Sequence, residues 1–178
     1  MLGIGSYDTR KSNHHGYIGH TGHIAANFAA YTCDFLLVLG SRLDLRQTGT
    51  EVKQFCPEAH KVMVDIDNNE LENPRVKIDF KINQSTNNFL VNFLKLKNKK
   101  NNLQKVNSSW LKFLKIKKNL NLEDEFNVKK YTNPKILINK ISNKFKNKKH
   151  SVVTGVGIHQ QWTARHYDFN ENVDFLTS

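Results

Sequence analysis

The first third of the chain alternates between helical and strand-like spacing of its apolar residues. Residues 22–33 (GHIAANFAAYTC) predict an amphipathic helix, because their apolar side chains fall at helical spacing. Residues 34–40 (DFLLVLG) are a continuous apolar run that ends in glycine, which is typical of a strand buried on both faces of a parallel sheet. Residues 60–67 (HKVMVDID) predict a second short strand, rich in valine and isoleucine.

This rhythm of strand, loop, helix and strand predicts an α/β fold with a parallel sheet flanked by helices. The loop SRLDLRQTG (41–49) follows the first strand, and Asp67 with Glu70 has the spacing of a helix capping box. Ligands of open parallel sheets bind beyond the carboxyl ends of the strands. We therefore expect any ligand crevice where these two strands end.

The middle of the chain has weaker patterns. Residues 89–94 predict a further helix or strand, whereas residues 95–105 have almost no apolar content and predict a linker. Two amphipathic helices with lysine on their outer faces are predicted next. One surrounds Trp110, and the other begins at Asn133 and Pro134, which suit an N-cap and a first-turn proline.

The last thirty residues predict a second unit of strand, turn and helix. Residues 151–155 (SVVTG) predict a strand, and residues 156–167 (VGIHQQWTARHY) predict a turn that runs into a helix. Phe175 and Leu176 then begin another strand. The parallel α/β pattern is thus expected twice in one chain.

The formal net charge of +11 is concentrated in one segment. Residues 95–149 carry 17 lysines and only three acidic residues, without a single arginine. Proteins that bind nucleic acid usually mix arginine and aromatic residues into the basic surface, so a solvated lysine-rich surface is the favoured interpretation over a nucleic-acid binder.

Cysteine usage and apolar runs limit the class of protein. Cys33 and Cys56 have a spacing that suits neither a disulfide framework nor a zinc knuckle, and we interpret both as small buried hydrophobic residues. No apolar run approaches the roughly 20 residues that span a bilayer, and residues 1–7 lack the pattern of a secretory signal. We therefore expect a cytoplasmic protein without a membrane partner.

Three stretches, in this order, resemble acetolactate synthases and related thiamine-diphosphate-dependent enzymes. They are AANFAAYTCDFLLVLGSRLDLRQTG (25–49), VDIDNNEL (64–71) and VVTGVGIHQQWTARHY (152–167), the last continuing to FLTS. The resemblance covers most of residues 16–79 and 133–178.

The resemblance implies three segments. Residues 1–97 would form a Rossmann-like central domain, residues 98–149 a helical linker rich in lysine and asparagine, and residues 150–178 the first strand–helix unit of a truncated second α/β domain that binds a diphosphate. The intact enzyme would decarboxylate a 2-keto acid and join the two-carbon unit to an acceptor, as a homodimer or tetramer. A lyase or transferase of a sugar or surface-polysaccharide pathway and a non-catalytic nucleotide-binding module remain alternatives.

The loops after the first two strands suit an adenine nucleotide. A terminal glycine admits close approach to the backbone, guanidinium groups bind phosphate, and carboxylates accept hydrogen bonds from ribose hydroxyls. The candidates, which also match FAD-binding positions of flavin-containing members, are Gly40, Ser41, Arg42, Asp44, Arg46, Asp65 and Asp67. FAD and no ligand remain equal alternatives, because Asp67 also suits a helix cap and Arg42 an ion pair with Asp44.

The turn after the last predicted buried strand suits a diphosphate. Two glycines at a strand end, just before a helix, expose backbone N–H groups to an anion. The resemblance assigns thiamine diphosphate to Gly155, Gly157, His159 and Gln160. Ile158 departs from the family, which usually has glutamine there, and this puts the substrate assignment in doubt.

No catalytic or metal-binding residue is assigned. His14, His15, His20 and His23 lie close in sequence but lack the cysteine or carboxylate that would complete a zinc site, and the resemblance places them around the glycine turn at Gly19 and Gly22. In the family, catalysis needs a glutamate from a preceding domain and Mg²⁺ held by a later GDG-type motif. Since neither matches a stretch of this sequence, we expect no acetolactate from pyruvate with this chain alone.

Overall fold

The computed structural model describes residues 2–97, 107–120 and 131–177. Within them lie the helices α1 (Ile24–Thr32), α2 (Leu45–Thr48), α3 (Asn68–Glu72), α4 (Thr86–Lys97), α5 (Ser108–Lys118), α6 (Pro134–Phe145) and α7 (Ile158–His166). The strands are β1 (Phe35–Leu39), β2 (His60–Asp65), β3 (Phe80–Asn83), β4 (His150–Thr154) and β5 (Val173–Thr177). Short 3-10 helices occupy Leu2–Ser6 and Val52–Gln54.

The chain forms two compact units. One is continuous and comprises Phe28–Phe113, and the other combines Met1–Asn27 with Leu114–Ser178. We call them the three-stranded unit and the two-stranded unit, after the sheet that each contains. The predicted segment boundaries, at 97/98 and 149/150, remain a prediction about the intact enzyme.

The three-stranded unit is built on a parallel sheet in the order β1–β2–β3. Leu39 pairs with Val64, and Val62 pairs with Phe80. Met63 and Val64 of β2 are completely buried, because valine and other apolar side chains of a central strand are covered on both faces. The predicted strands in residues 34–40 and 60–67 and their parallel pairing are confirmed.

The sequence did not predict strand β3, which lies at the edge of this sheet. Its residues, FKIN, lack a continuous apolar run, and the Phe80 side chain is exposed. Backbone hydrogen bonds hold the strand at both ends. The Asp79 N–H donates to the Lys61 carbonyl at 2.9 Å, and the Gln84 N–H donates to the Asp65 carbonyl at 3.0 Å.

The two-stranded unit has a parallel pair, β4 and β5, in which His150 pairs with Val173 and Thr154 pairs with Thr177. Its core is a cluster of buried residues with half-buried ones packed on it: Ile4, Ala164, Tyr167, Phe169, Val173, Tyr17, Ile138, Val152 and Phe175. Apolar side chains from strands, α6 and α7 thus cover one small sheet. The predicted strand–turn–helix–strand pattern of residues 151–176 is confirmed.

The second helix of the lysine-rich segment, α6, begins where its capping residues predict. The Asn133 side chain accepts a hydrogen bond from the Lys135 N–H at 2.9 Å, and Pro134 opens the first turn of α6. The predicted linker at residues 95–105 is wrong at its start, because α4 continues to Lys97. The rest of that linker lies outside the described residues.

Within the described ranges, every helix is too short or too polar to cross a membrane.

Candidate functional site

The carboxyl edge of the three-stranded sheet is where β1 ends at Gly40. The Gly40 N–H donates to the Val64 carbonyl at 2.9 Å, which holds this turn against the neighbouring strand β2. Gly40 has φ +56°, a left-handed conformation that glycine adopts at little cost. A Cβ atom at position 40 would lie only 3.3 Å from Thr86 Oγ1. The Gly40 backbone is therefore open toward the carboxyl edge of the sheet because glycine has no side chain.

The loop after Gly40 is fixed by its own side chains. Asp44 caps α2 by accepting hydrogen bonds from the Arg46 and Gln47 N–H groups at 2.9 and 3.2 Å. The Gln47 side chain accepts from the Asp44 N–H at 3.1 Å, which completes a capping box, and its amide also bonds Ser41 Oγ at 3.2 Å. The carboxylate of Asp44 is therefore occupied in shaping the loop.

Arg42 and Arg46 project two guanidinium groups from this loop. Both residues are exposed, and neither side chain has a hydrogen bond or ion pair among the described residues. The ion pair between Arg42 and Asp44, one of the alternatives drawn from the sequence, does not form; Asp44 caps α2 instead. Two unpaired guanidinium groups beside an open backbone turn can bind phosphate oxygens in pairs of hydrogen bonds.

Asp65 is the last residue of β2 and Asp67 follows it, at the carboxyl end of the strand as predicted, but their carboxylates are partly used by the backbone. Asp65 Oδ1 accepts from the Asp67 N–H, and Asp67 Oδ1 accepts from the Asn69 N–H, both at 2.9 Å. Asp67 is therefore the N-cap of α3. The predicted capping box of Asp67 with Glu70 is wrong, because the Asp67 side chain accepts from the Asn69 N–H and not from the Glu70 N–H. A capping box forms instead at the start of α2, between Asp44 and Gln47.

The turn between β4 and α7 carries the second group of predicted residues. Gly157 has φ +153° and stands at the N-cap position of α7 without any side-chain cap. A Cβ atom at Gly157 would lie 2.9 Å from Cε1 of His159, so the imidazole folds back over the turn. The N–H groups that open α7, at Ile158 and His159, come too early in the helix to have helical partners, and the exposed His159 ring lies beside them.

Gln160 differs from its neighbours in this turn. Its side chain is buried and donates to Thr177 Oγ1 at the end of β5. The amide therefore joins α7 to the sheet of the two-stranded unit. Gly155, Gly157 and His159 are brought together at the turn, whereas the Gln160 side chain points into the protein.

Sequence reasoning overlooked three residues that shape these loops. Gln47 completes the capping box, Thr86 flanks Gly40, and Thr177 accepts the Gln160 amide. The spacing of Asp44 and Gln47 is the capping-box signature and could have predicted the first. No local signal could have identified the other two, because each lies far along the chain from its partner.

The clustered histidines lie in the two-stranded unit, beside a cavity of about 260 Å³. Burial, followed by the charge of Lys118, lowers the pKa of His14 to about 4, and the same causes lower the pKa of His15. His23 accepts from the Tyr17 N–H at 3.3 Å and bonds the Arg165 carbonyl at 3.2 Å. The imidazoles of His14 and His15 are thus neutral near pH 7, and no trio of metal-binding side chains occurs within the described ranges.

Comparison with known proteins agrees with this architecture. Residues 1–93 match the family model described as thiamine pyrophosphate enzyme, central domain. Over its whole length the chain is 29% identical to acetolactate synthase 2, chloroplastic, of Nicotiana tabacum and 28% identical to the acetolactate synthase large subunit of Haemophilus influenzae. Over 93% of its length it is 33% identical to the acetolactate synthase large subunit of Cyanidium caldarium.

The chain spans only 26%, 31% and 28% of the lengths of these three relatives, in the order given. The resemblance inferred from residues 25–49, 64–71 and 152–167 is confirmed, as is the α/β class of the fold. Since the family model covers more than half of the chain, the protein belongs to the thiamine pyrophosphate enzyme family, whose central domain its residues 1–93 match.

Proposed function

We propose that this chain is the central part of a thiamine-diphosphate-dependent enzyme that decarboxylates a 2-keto acid and ligates the product to an acceptor, as acetolactate synthases do. The observation that supports this most is the succession of two parallel α/β units, each with a glycine turn after its first strand, in a chain that aligns over its whole length with named acetolactate synthases. The proposal includes a homodimer or tetramer for the intact enzyme. It also includes a cytoplasmic location, although the tobacco relative is named chloroplastic.

The β4–α7 turn would hold the diphosphate of the cofactor. Its uncapped helix N-terminus offers backbone N–H donors, the missing Cβ of Gly157 lets the His159 ring lie against the turn, and that ring adds a side-chain donor. Thiamine diphosphate, when bound, supplies the carbanion chemistry that decarboxylation requires. Mg²⁺ would neutralise the diphosphate charge, with ligands other than the described residues.

The loop after β1 would hold an adenine nucleotide, and FAD is the proposed ligand. Arg42 and Arg46 would contact its phosphates, while the backbone at Gly40 and Ser41 would allow them to approach. Asp65 and Asp67 are the candidates for a ribose hydroxyl. Each carboxylate accepts one backbone N–H at Oδ1, so Oδ2 of each side chain remains available.

Replacing His159 with alanine should weaken the binding of thiamine diphosphate with Mg²⁺ about tenfold, because one charge-assisted hydrogen bond to phosphate is lost. Isothermal titration calorimetry on the chain measures this, with thiamine monophosphate as the ligand control. The matched control is His20→Ala, since His20 is also an exposed histidine of the two-stranded unit. Equal affinities of the His159→Ala variant and the unaltered chain would remove the diphosphate site from the proposal.

Replacing both Arg42 and Arg46 with alanine should weaken FAD and ADP binding by about tenfold or more, because two guanidinium–phosphate contacts are removed. Fluorescence titration with FAD and calorimetry with ADP give the dissociation constants. The control is Lys53→Ala, which removes an exposed cation of the same unit outside the loop. The nucleotide part of the proposal fails if the control and the double variant lose affinity equally.

A nucleotide-binding module without catalysis is the second candidate function, and the unpaired Arg42 and Arg46 favour it. The two candidates differ in the β4–α7 turn. If ADP or FAD binds through the arginines while thiamine diphosphate does not bind at all, the module is the better description. Binding of both ligands, each weakened by its own variant, supports the thiamine-dependent enzyme.

A further inference from the structure

The two cysteines of the chain both lie at the amino edge of the three-stranded sheet. Cys33 follows α1 and Cys56 precedes β2, so they lie just before the first residues of two neighbouring parallel strands. The His60 N–H donates to the Asp34 carbonyl at 2.8 Å, and the Ala59 N–H donates to the Cys56 carbonyl at 3.2 Å. These bonds hold the starts of β1 and β2 together, at the edge opposite to the one that carries the nucleotide candidates.

The two thiols have unequal surroundings. Cys56 is buried, with 1% of its surface exposed, whereas Cys33 is half-buried. A hydrogen bond from the Cys56 thiol lowers the pKa of Cys33 to about 7, and the same contact together with burial raises the pKa of Cys56. The ammonium group of Lys61, nearly buried and bonded to the Ala59 carbonyl at 3.1 Å, favours both thiolates.

This asymmetry distinguishes the pair from two inert hydrophobic side chains. Inert structural cysteines are buried and have ordinary or raised pKa values, whereas redox-responsive ones pair an accessible thiolate with a second thiol beside it. Cys33 has the accessibility and the ionisation of an attacking thiol. Cys56 is positioned as the thiol that attacks next.

We propose that Cys33 and Cys56 form a reversible disulfide site, with Cys33 as the attacking thiol, Cys56 as the resolving thiol and a low-molecular-weight disulfide as oxidant. The Cys33 thiolate attacks one sulfur of the oxidant, forms a mixed disulfide and releases one thiolate, which takes up a proton. Cys56 then loses its proton, attacks the Cys33 sulfur and releases the second thiol. Two protein thiols are oxidised, and one disulfide is reduced to two thiols.

The disulfide would close the segment that contains β1, the 40–44 loop and α2. Closing a loop restricts the unfolded chain, so the oxidised protein should melt at a higher temperature than the reduced one. The proposal does not depend on thiamine diphosphate or FAD, because it uses only the opposite edge of the sheet.

The test uses the full chain with glutathione disulfide at pH 7.5, followed by acid quenching and intact-mass measurement. We expect the unaltered chain to lose two hydrogens without retaining glutathione. The Cys56→Ala variant should instead keep one glutathione on Cys33, and the Cys33→Ala variant should react at least about tenfold more slowly, because its remaining thiol is buried and un-ionised. Circular dichroism establishes that each variant is folded.

A second measurement needs no variant. Iodoacetamide alkylation of the reduced chain, mapped by peptide mass, should modify Cys33 at least about tenfold faster than Cys56 at pH 7, and the rate at Cys33 should rise with a midpoint near pH 7. Both rates should become similar in guanidinium chloride. The site is ruled out if glutathione accumulates on Cys33 of the unaltered chain without resolution, or if the two cysteines are alkylated equally in the folded state.

Discussion

The Phe169→Ala variant should lose about 3–5 kcal/mol of unfolding free energy, which is the usual cost of deleting a fully buried phenylalanine. Phe169 is completely buried in the core of the two-stranded unit. Its ring lies 5.3 Å from the ring of Tyr167 and 5.1 Å from that of Phe175, measured between centroids. Alanine would leave a cavity between two aromatic rings that cannot both move to fill it.

The backbone around Phe169 makes collapse of that cavity harder. The Phe169 carbonyl accepts from the Thr9 N–H at 2.9 Å, and the Phe169 N–H donates to Thr9 Oγ1 at 2.8 Å. These bonds fix the residue against the N-terminal segment of the same unit. Since the surrounding chain is held in place, the cavity should remain and the cost should lie in the upper part of the range.

Urea unfolding followed by circular dichroism gives the free energies. Phe80→Ala is the matched control, because the Phe80 side chain is 62% exposed at the edge strand β3. Its loss should be below about 1 kcal/mol. Equal destabilisation by the two substitutions would contradict the placement of Phe169 in the core.

The sequence could predict those elements whose signal is local. Strand β1 follows from the uninterrupted run FLLVL, and α6 follows from Asn133 and Pro134, which supply the cap and the fixed φ angle of a first turn. The edge strand β3 could not be predicted from FKIN, because its pairing depends on backbone bonds to β2 rather than on its own side chains. Backbone pairing between segments that are distant in sequence cannot be predicted from the residues of either segment alone.

The candidate sites show the same division. Glycine turns at Gly40 and Gly157 could be located from the sequence, since a strand end followed by glycine is a local pattern. The hydrogen-bond partner of each polar side chain could not be predicted from the sequence, because several groups compete for the same donor or acceptor in the folded chain. The capping role of Asp67 was one of the alternatives drawn from the sequence, whereas the bond from Gln160 to Thr177 became visible only with the partner in place.

The contact between Cys33 and Cys56 was also beyond the sequence. Their separation along the chain matches no redox or metal motif, so a hydrophobic role was the better interpretation of the residues alone. Parallel pairing of β1 with β2 brings the residues that precede the two strands together. The proposed disulfide site therefore follows from the order of the strands in the sheet and not from the spacing of the two cysteines in the sequence.

The turn that leads into α1 is the source of the other large effect, in the Gly22→Ala variant. A Cβ atom at Gly22 would lie 2.5 Å from the Tyr17 carbonyl oxygen, 2.7 Å from the Ile18 carbonyl carbon and 2.8 Å from the Gly19 nitrogen. All three are backbone atoms, so no side-chain rotation can relieve the clash. The turn must open, and we expect a loss of about 3 kcal/mol or more in unfolding free energy.

Opening this turn also breaks hydrogen bonds that depend on it. The Gly22 N–H donates to the Gly19 carbonyl, and the His23 N–H donates to the Tyr17 carbonyl, both at 2.9 Å. Urea unfolding again measures the effect, with Gly3→Ala as control, because the nearest atom to a Cβ at Gly3 is Ser6 Oγ at 4.0 Å. The control should change stability by less than about 0.5 kcal/mol. A Gly22→Ala variant as stable as the control would mean that the turn relaxes freely, and the tight packing of its backbone would then have no role in holding α1.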